Sequence, residues 1–213
     1  MTILVTGSSG FVAQSLIPKL EKLGFDVIGL DWKNGKHTKV IHNIAKPLEI
    51  DDDVDIIIHL AARLEHERCS KEEFFKTNVD GTEQVLNLAN SKNAYFIYVS
   101  TTAVYGSPEC PITENTSVDP NGAYALTKWN GEKICKKYED SGLEITIIRS
   151  APILGQGRLG IYKTIFKNLQ DNSFIPVLGN GNNKLSFVHV EDLVDFLIYL
   201  GKNLNVTSIL HYI

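Results

Sequence analysis

Short apolar runs alternate with longer amphipathic stretches along nearly all of the 213 residues, and that alternation constrains the fold more than any other feature. Ile3-Leu4-Val5 is followed by a helical pattern over 11–23, in which Val12, Leu16, Leu20 and Leu23 recur on one face. Pro18 lies inside that helix, where its missing amide donor predicts a kink. Residues 27–30 form a second apolar run and 39–41 a shorter third. The stretch 54–60, VDIIIHL, reads as a strand covered on both faces. A helix over 71–89, a strand over 95–100, a helix over 123–139 and a strand over 145–149 continue the series. Such alternation predicts an α/β fold, a doubly wound parallel sheet. After Gly155 the pattern loosens into a helix near 161–169, a short strand FVHV, a helix from Glu191 and a final run, ILHYI. The chain is therefore divided into 1–155 and a smaller, partial region, 156–213, interleaved with the first.

Composition narrows the function. Apolar content of 43% and charged content of 22% are enough for a real core. Twenty-one basic against twenty-five acidic residues give a net charge of −4, and no basic run supplies the footprint of nucleic-acid binding. Cys69, Cys110 and Cys135 are odd in number and far apart, which fits neither a disulfide framework nor metal-ligand spacing, so no metal is expected. With no leader before the first strand and no apolar run of membrane-spanning length, the expectation is a soluble, cytoplasmic protein.

In a doubly wound sheet, ligands bind beyond the carboxyl ends of the strands. The first strand runs into Gly7-Ser8-Ser9-Gly10 at the start of a helix, where close-approaching backbone amides suit a pyrophosphate. The second ends at Asp31, a carboxylate placed to accept hydrogen bonds from ribose hydroxyls and to repel a 2′-phosphate; Lys33 nearby weakens that preference. The fifth ends in Ser100-Thr101-Thr102, and Tyr124 and Lys128, four apart, share one face of the following helix. A phenol is a poor base at neutral pH unless a cation lowers its pKa, and Lys128 together with an oxidised nicotinamide would do so. The phenolate would then take an alcohol proton as hydride leaves carbon, with Thr101 hydrogen-bonding the same oxygen.

Six ordered motifs carry a resemblance over nearly the whole chain: Gly7-x-x-Gly10-x-x-Ala13, HLAA (59–62), TNVDGT (77–82), STTAVYG (100–106), Tyr124-x-x-x-Lys128 and FVHVEDL (187–193). Together they resemble the extended short-chain dehydrogenase/reductases, the NAD-dependent sugar epimerase/dehydratase family. The resemblance implies a Rossmann fold and NAD as cofactor. It assigns Gly7, Ser9, Gly10, Phe11 and Val12 to the nucleotide loop, Asp31 to the ribose, and Asn43 and Ile44 to the adenine. Leu60, Ala61, Ala62 and Asn78 would lie along the cofactor, with Pro152 towards the nicotinamide. Thr101, Tyr124 and Lys128 match the catalytic triad, the last two also touching NAD, while His59 and His189 are read as structural.

Departures refine the expectation. Asn43-Ile44 stands for the usual Asp-Ile, Arg149-Ser150 for Arg-Pro, and Thr102-Ala103 for the Asp-Glu of the 4,6-dehydratases, which removes the acid that eliminates water. Relatives continue well past ILHYI, so the chain is expected to be a fragment, a minimal variant or a degenerate member with a truncated substrate region. The implied function is epimerisation of a nucleotide-sugar at C4 through a transient keto intermediate. The alternatives are a net oxidoreductase of a sugar nucleotide or other alcohol, and an NAD-binding protein without catalysis. A homodimer is also implied, its four-helix bundle drawing on Phe74, Val85, Leu88, Ile134 and Tyr138.

Overall fold

The computed structural model describes residues 1–65, 67, 69–108, 111–113, 115–159, 162–174, 180–182, 184–203 and 208–212; Cys110 lies outside them. The chain lays down β1 (Thr2–Thr6), β2 (Asp26–Asp31), β3 (Val40–Ile41), β4 (Ile56–His59), β5 (Tyr95–Thr101) and β6 (Ile145–Ser150). Two short strands follow, β7 (Ile153–Leu154) and β8 (Val188–His189), and β9 (Ser208–Tyr212) comes last. Seven strands form one sheet in the order β3-β2-β1-β4-β5-β6-β9, every neighbour pairing parallel. Chain order reverses at β1, which opens a crevice between the carboxyl ends of β1 and β4. The strand β7, a pair of residues with no periodicity to announce it, pairs with β8 as a separate ribbon.

Side-chain alternation along the strands feeds two cores. On one face Ile3, Val5, Ile56 and Ile58 pack under α1 (Phe11–Lys22) and α6 (Val190–Lys202). The other face carries Leu4, Ile57, Phe96 and Tyr98, covered by α3 (Gly81–Lys92) and α4 (Gly122–Asp140). Helix α1 runs through Pro18 without ending, and buries Val12, Ala13, Leu16, Ile17 and Leu20; Leu23 falls at its C-cap and is exposed. Residues beyond 155 do not stand apart as a block, since α6 packs on α1 and β9 extends the main sheet. The amphipathic α5 (Tyr162–Gln170) has no fully buried side chain. None of the described helices is long and apolar enough to cross a membrane.

The helix expected over 71–89 is broken in register. It begins as α2 (Lys71–Phe75), capped by a reciprocal pair of bonds between Ser70 and Glu73, and passes through a π-helical turn, Lys76–Asp80, before α3. The wider π turn rotates Asn78 into the interior.

The apolar residues expected to hold a dimer are otherwise employed. Phe74, Val85 and Leu88 are buried within the single chain. Ile134 and Tyr138 pack against the same core, and Tyr138 Oη donates to Asn87 Oδ1 at 2.6 Å. Helical periodicity marked the apolar face of α3, and Val85 and Leu88 on that face cover the sheet. Leu88→Ala is therefore expected to lower stability by about 2–5 kcal/mol, the cost of a buried cavity. Urea melts should show the same loss at every protein concentration; a loss that grows on dilution would return Leu88 to a subunit interface.

Candidate active site

The turn after β1 is built by Gly7. Its φ of +72° is open to glycine, and a Cβ there would stand 2.9 Å from the backbone of Ala61. The turn closes with Gly10 N donating to Gly7 O at 2.8 Å, and α1 begins at once. Asp31, at the end of β2, accepts from Ser9 N (3.0 Å) and Ser9 Oγ (2.6 Å) on Oδ2, and from Lys33 N (3.3 Å) on Oδ1. A carboxylate has about four acceptor positions, so room for a ribose hydroxyl is left on Oδ1. Ala61 N donates to Thr6 Oγ1 at 3.2 Å, tying the loop after β4 to the end of β1.

The other expected cofactor residues fall into distinct groups. Phe11 and Val12 open α1 beside the glycine turn, and Leu60, Ala61 and Ala62 are half-buried along the crevice. Asn43 is exposed and caps its own turn, Oδ1 accepting from Ala45 N at 3.0 Å. Ile44 is a core side chain packed against Gly81. Pro152 is exposed, its carbonyl accepting from Val188 N at 3.1 Å. Asn78 is sealed in the interior: Oδ1 accepts from Arg63 N (2.7 Å), and Nδ2 donates to Arg63 O (3.1 Å) and Thr127 Oγ1 (3.0 Å). Its amide thus fastens the loop after β4 onto α4.

Thr101 and Tyr124 meet: a hydrogen bond joins their side chains, from the end of β5 to the first turn of α4. Burial pushes the Tyr124 phenol up to about 12, while the bond to Thr101 and the charge of Arg158 pull it down and Glu65 raises it. The Lys128 ammonium lies 4.0 Å from the ring centre of Tyr98, in a residue only 3% exposed. Burial pulls it down to about 8, against the opposing influence of Cys135 and Glu132.

Two positions escaped sequence reasoning because no motif marks them. Trp32 is exposed beside Asp31, with the Arg63 guanidinium 5.7 Å from its ring, so the loops after β2 and β4 touch across β1. Arg158 rests 5.5 Å from the ring of Phe11, on a tight turn in which Gly155 and Arg158 exchange backbone hydrogen bonds.

Comparison with known proteins decides the family. The model of the NAD dependent epimerase/dehydratase family matches residues 3–209. The chain belongs to that family. It is 32% identical over 208 residues to the uncharacterized protein y4nG of Sinorhizobium fredii, covering 92% of this chain and 52% of that protein. It is 30% identical over 224 residues to YtcB of Bacillus subtilis, an uncharacterized UDP-glucose epimerase, covering 91% and 70%. Among solved structures, a double mutant of the dTDP-glucose 4,6-dehydratase DesIV from Streptomyces venezuelae, with NAD bound, superposes with a TM-score of 0.83. The two are 26% identical, over 99% of this chain and 75% of that one. The chain thus spans between half and three quarters of the lengths of these relatives.

In this epimerase/dehydratase chain a buried ion pair lies one helical turn beyond Lys128. The Arg149 guanidinium grips Glu132 with Nη2 to Oε2 at 2.7 Å and Nε to Oε1 at 3.1 Å. Ser100 Oγ donates to Glu132 Oε1 at 2.5 Å, and Arg149 Nη1 donates to Tyr105 Oη at 2.7 Å. Four residues thus lock α4, β5 and β6 together around Thr101, Tyr124 and Lys128. With both charges buried and paired, removing either partner would strand the other.

The same residues fit the family's cofactor. The glycine turn has no space for a Cβ, Asp31 keeps an acceptor position, and among the described residues no carboxylate or hydrogen-bond acceptor contacts the Lys128 ammonium. Such a cation costs stability while it stays charged. Its folded pKa, about 8, lies below the ordinary 10.5, so the penalty is complete below pH 8 and fades as pH rises towards 10.5. Lys128→Met is expected to be more stable than the parent at pH 7 by about 1–3 kcal/mol. That gap should close between pH 8 and 10.5 in urea melts; a destabilised variant, or a gap that widens with pH, would contradict it.

Proposed function

We propose that this chain carries the cofactor-binding and catalytic part of an NAD-dependent sugar-nucleotide epimerase acting at C4. The observation that carries this reading is the meeting of Thr101 and Tyr124, with Lys128 one turn along α4, at the carboxyl edge beside the glycine turn. Likeness to a UDP-glucose epimerase supports it. The backbone amides of Phe11 and Val12, at the start of α1, would hold the cofactor's diphosphate, and Asp31 the adenosine ribose, in the non-phosphorylated form that a carboxylate tolerates. Lys128 would take the hydroxyls of the second ribose. NAD, when bound, supplies the acceptor and donor of hydride.

The chain's own work is proton transfer and orientation. Tyr124 accepts the proton of the sugar's C4 hydroxyl and later returns it, and Thr101 hydrogen-bonds the same oxygen to aim it. A phenol at about 12 needs about 7 kcal/mol of added stabilisation to serve as a base at neutral pH. Thr101 and the positive charges gathered around a loaded site are the means the site offers. Elimination of water is disfavoured, because the 3-10 turn after Thr101 begins with Thr102 and Ala103 and brings no acid.

Incubation with UDP-, GDP- and dTDP-sugars and NAD should yield an epimer pair with no net reduction of NAD. Tyr124→Phe should lower turnover by about 10²–10⁴ while leaving folding and NAD affinity near the parent's. Accumulation of reduced cofactor would make the protein a net oxidoreductase, and NAD binding without turnover would make it a cofactor-binding protein. Full turnover by Tyr124→Phe would overturn the role of Tyr124.

A further inference from the structure

The Lys128 ammonium has a face of an aromatic ring where other buried cations have a carboxylate. Tyr98, fully buried on β5, presents that face at 4.0 Å, and its hydroxyl donates to the carbonyl of Lys128 itself at 3.4 Å. Room for the phenol is made by Gly131 in the middle of α4: a Cβ there would stand 2.2 Å from Tyr98 Oη. A ring face carries negative potential, and a desolvated cation gains more from it than an exposed one.

Tyr98 is itself backed. His59, its register partner on β4, stacks on it at 5.8 Å between ring centres and 20° between planes. The proton positions on His59 follow from its neighbours. Thr82 Oγ1 gives its proton to Asn78 O at 2.7 Å, so it must accept from His59 Nε2 at 3.1 Å. His59 Nδ1 then accepts from Thr6 Oγ1 at 2.7 Å, and Thr6 Oγ1 in turn accepts from Ala61 N. A ring nitrogen committed as acceptor cannot take a second proton, and burial with the charge of Lys128 holds His59 down to about 3. The neutral imidazole beside the phenol ring thus adds no second cation to oppose Lys128.

We propose that Tyr98, backed by neutral His59, is a positioning residue that keeps Lys128 charged and in place for the nicotinamide ribose. The cofactor part of this statement rests on the reading given above; the ring–cation part does not. The titratable or charged groups around Lys128 are His59 on β4, Tyr98 on β5, Tyr124, Glu132 and Cys135 on α4, and Arg149 on β6, the last neutralised by Glu132.

A double-mutant cycle on the cofactor-free protein separates this role from mere packing. Tyr98→Leu at pH 7 should cost about tenfold more in the folding equilibrium with Lys128 present than in Lys128→Met. The excess should fade towards pH 10.5 as the ammonium is lost. Tyr98→Phe keeps the face and should leave the coupling intact. If Tyr98→Leu does not fold, a ring-fluorinated phenylalanine at position 98 keeps the shape and drains the negative face, and should reduce the coupling in step with fluorination. NAD affinity, measured by calorimetry, should fall with Tyr98→Leu or fluorination and hold with Tyr98→Phe. Equal costs in both Lys128 backgrounds would reduce Tyr98 to a packing residue. A parent that binds NAD and a fluorinated variant that binds it as tightly would refute the positioning role, whereas a parent that binds no NAD would refute the cofactor reading and leave the cycle standing.

Discussion

All seven strands of the main sheet run the same way, and the placement of the site follows from that constraint. Parallel neighbours require a crossover between strands, and right-handed crossovers on both sides of β1 put α1 on one face and α3 and α4 on the other. Every strand then ends at the same edge. Gly7, Asp31, Ala61, Thr101 and Ser150 come from distant parts of the chain and are neighbours for that reason alone. Crossovers also leave each central strand covered twice, which is why 56–58 is a run of three isoleucines with no polar face.

Burial on both faces makes charge expensive near this edge, and the protein meets that cost in two ways. Glu132 and Arg149 pair fully, with Ser100 and Tyr105 satisfying the remaining positions, so their cost is offset within the fold. Lys128 is left with a ring face, and its pKa sits low as a result. The contrast suits the role proposed for Lys128, since a group that is to act on a ligand cannot already be neutralised by a carboxylate. The raised phenol of Tyr124 belongs to the same logic, since a site dry enough to strengthen its interactions also disfavours an unassisted phenolate.

The doubly wound sheet and most elements were legible in the sequence, because their signal is local: periods of 2 and 3.6 and glycine at strand ends. The glycine turn, Asp31 and the Thr101–Tyr124 pairing were legible because their spacing is set by strand–turn–helix geometry. What escaped depends on contacts across strands. Nothing in the pattern of 71–89 announces the π turn, which adds no residue type of its own and shows itself in the inward rotation of Asn78. Val85 and Leu88 lie on the apolar face that periodicity marks, yet periodicity does not say whether a sheet or a second subunit covers it. The identity of the group under Lys128 needed the register of β4 against β5, which places His59 beside Tyr98.

The central claim is that one edge of the sheet performs a reversible oxidation in which hydride leaves a sugar carbon and comes back to it, with Tyr124 handling the proton. The most direct measurement uses UDP-glucose deuterated at C4, incubated with the protein and NAD, with the label in both sugar epimers followed by mass spectrometry and NMR. The account expects an epimer to form with deuterium retained at C4 in each, because a hydride carried on the carbon of the reduced cofactor does not exchange with solvent protons. Epimer carrying hydrogen from solvent at C4, or deuterium lost into free reduced cofactor, would contradict it.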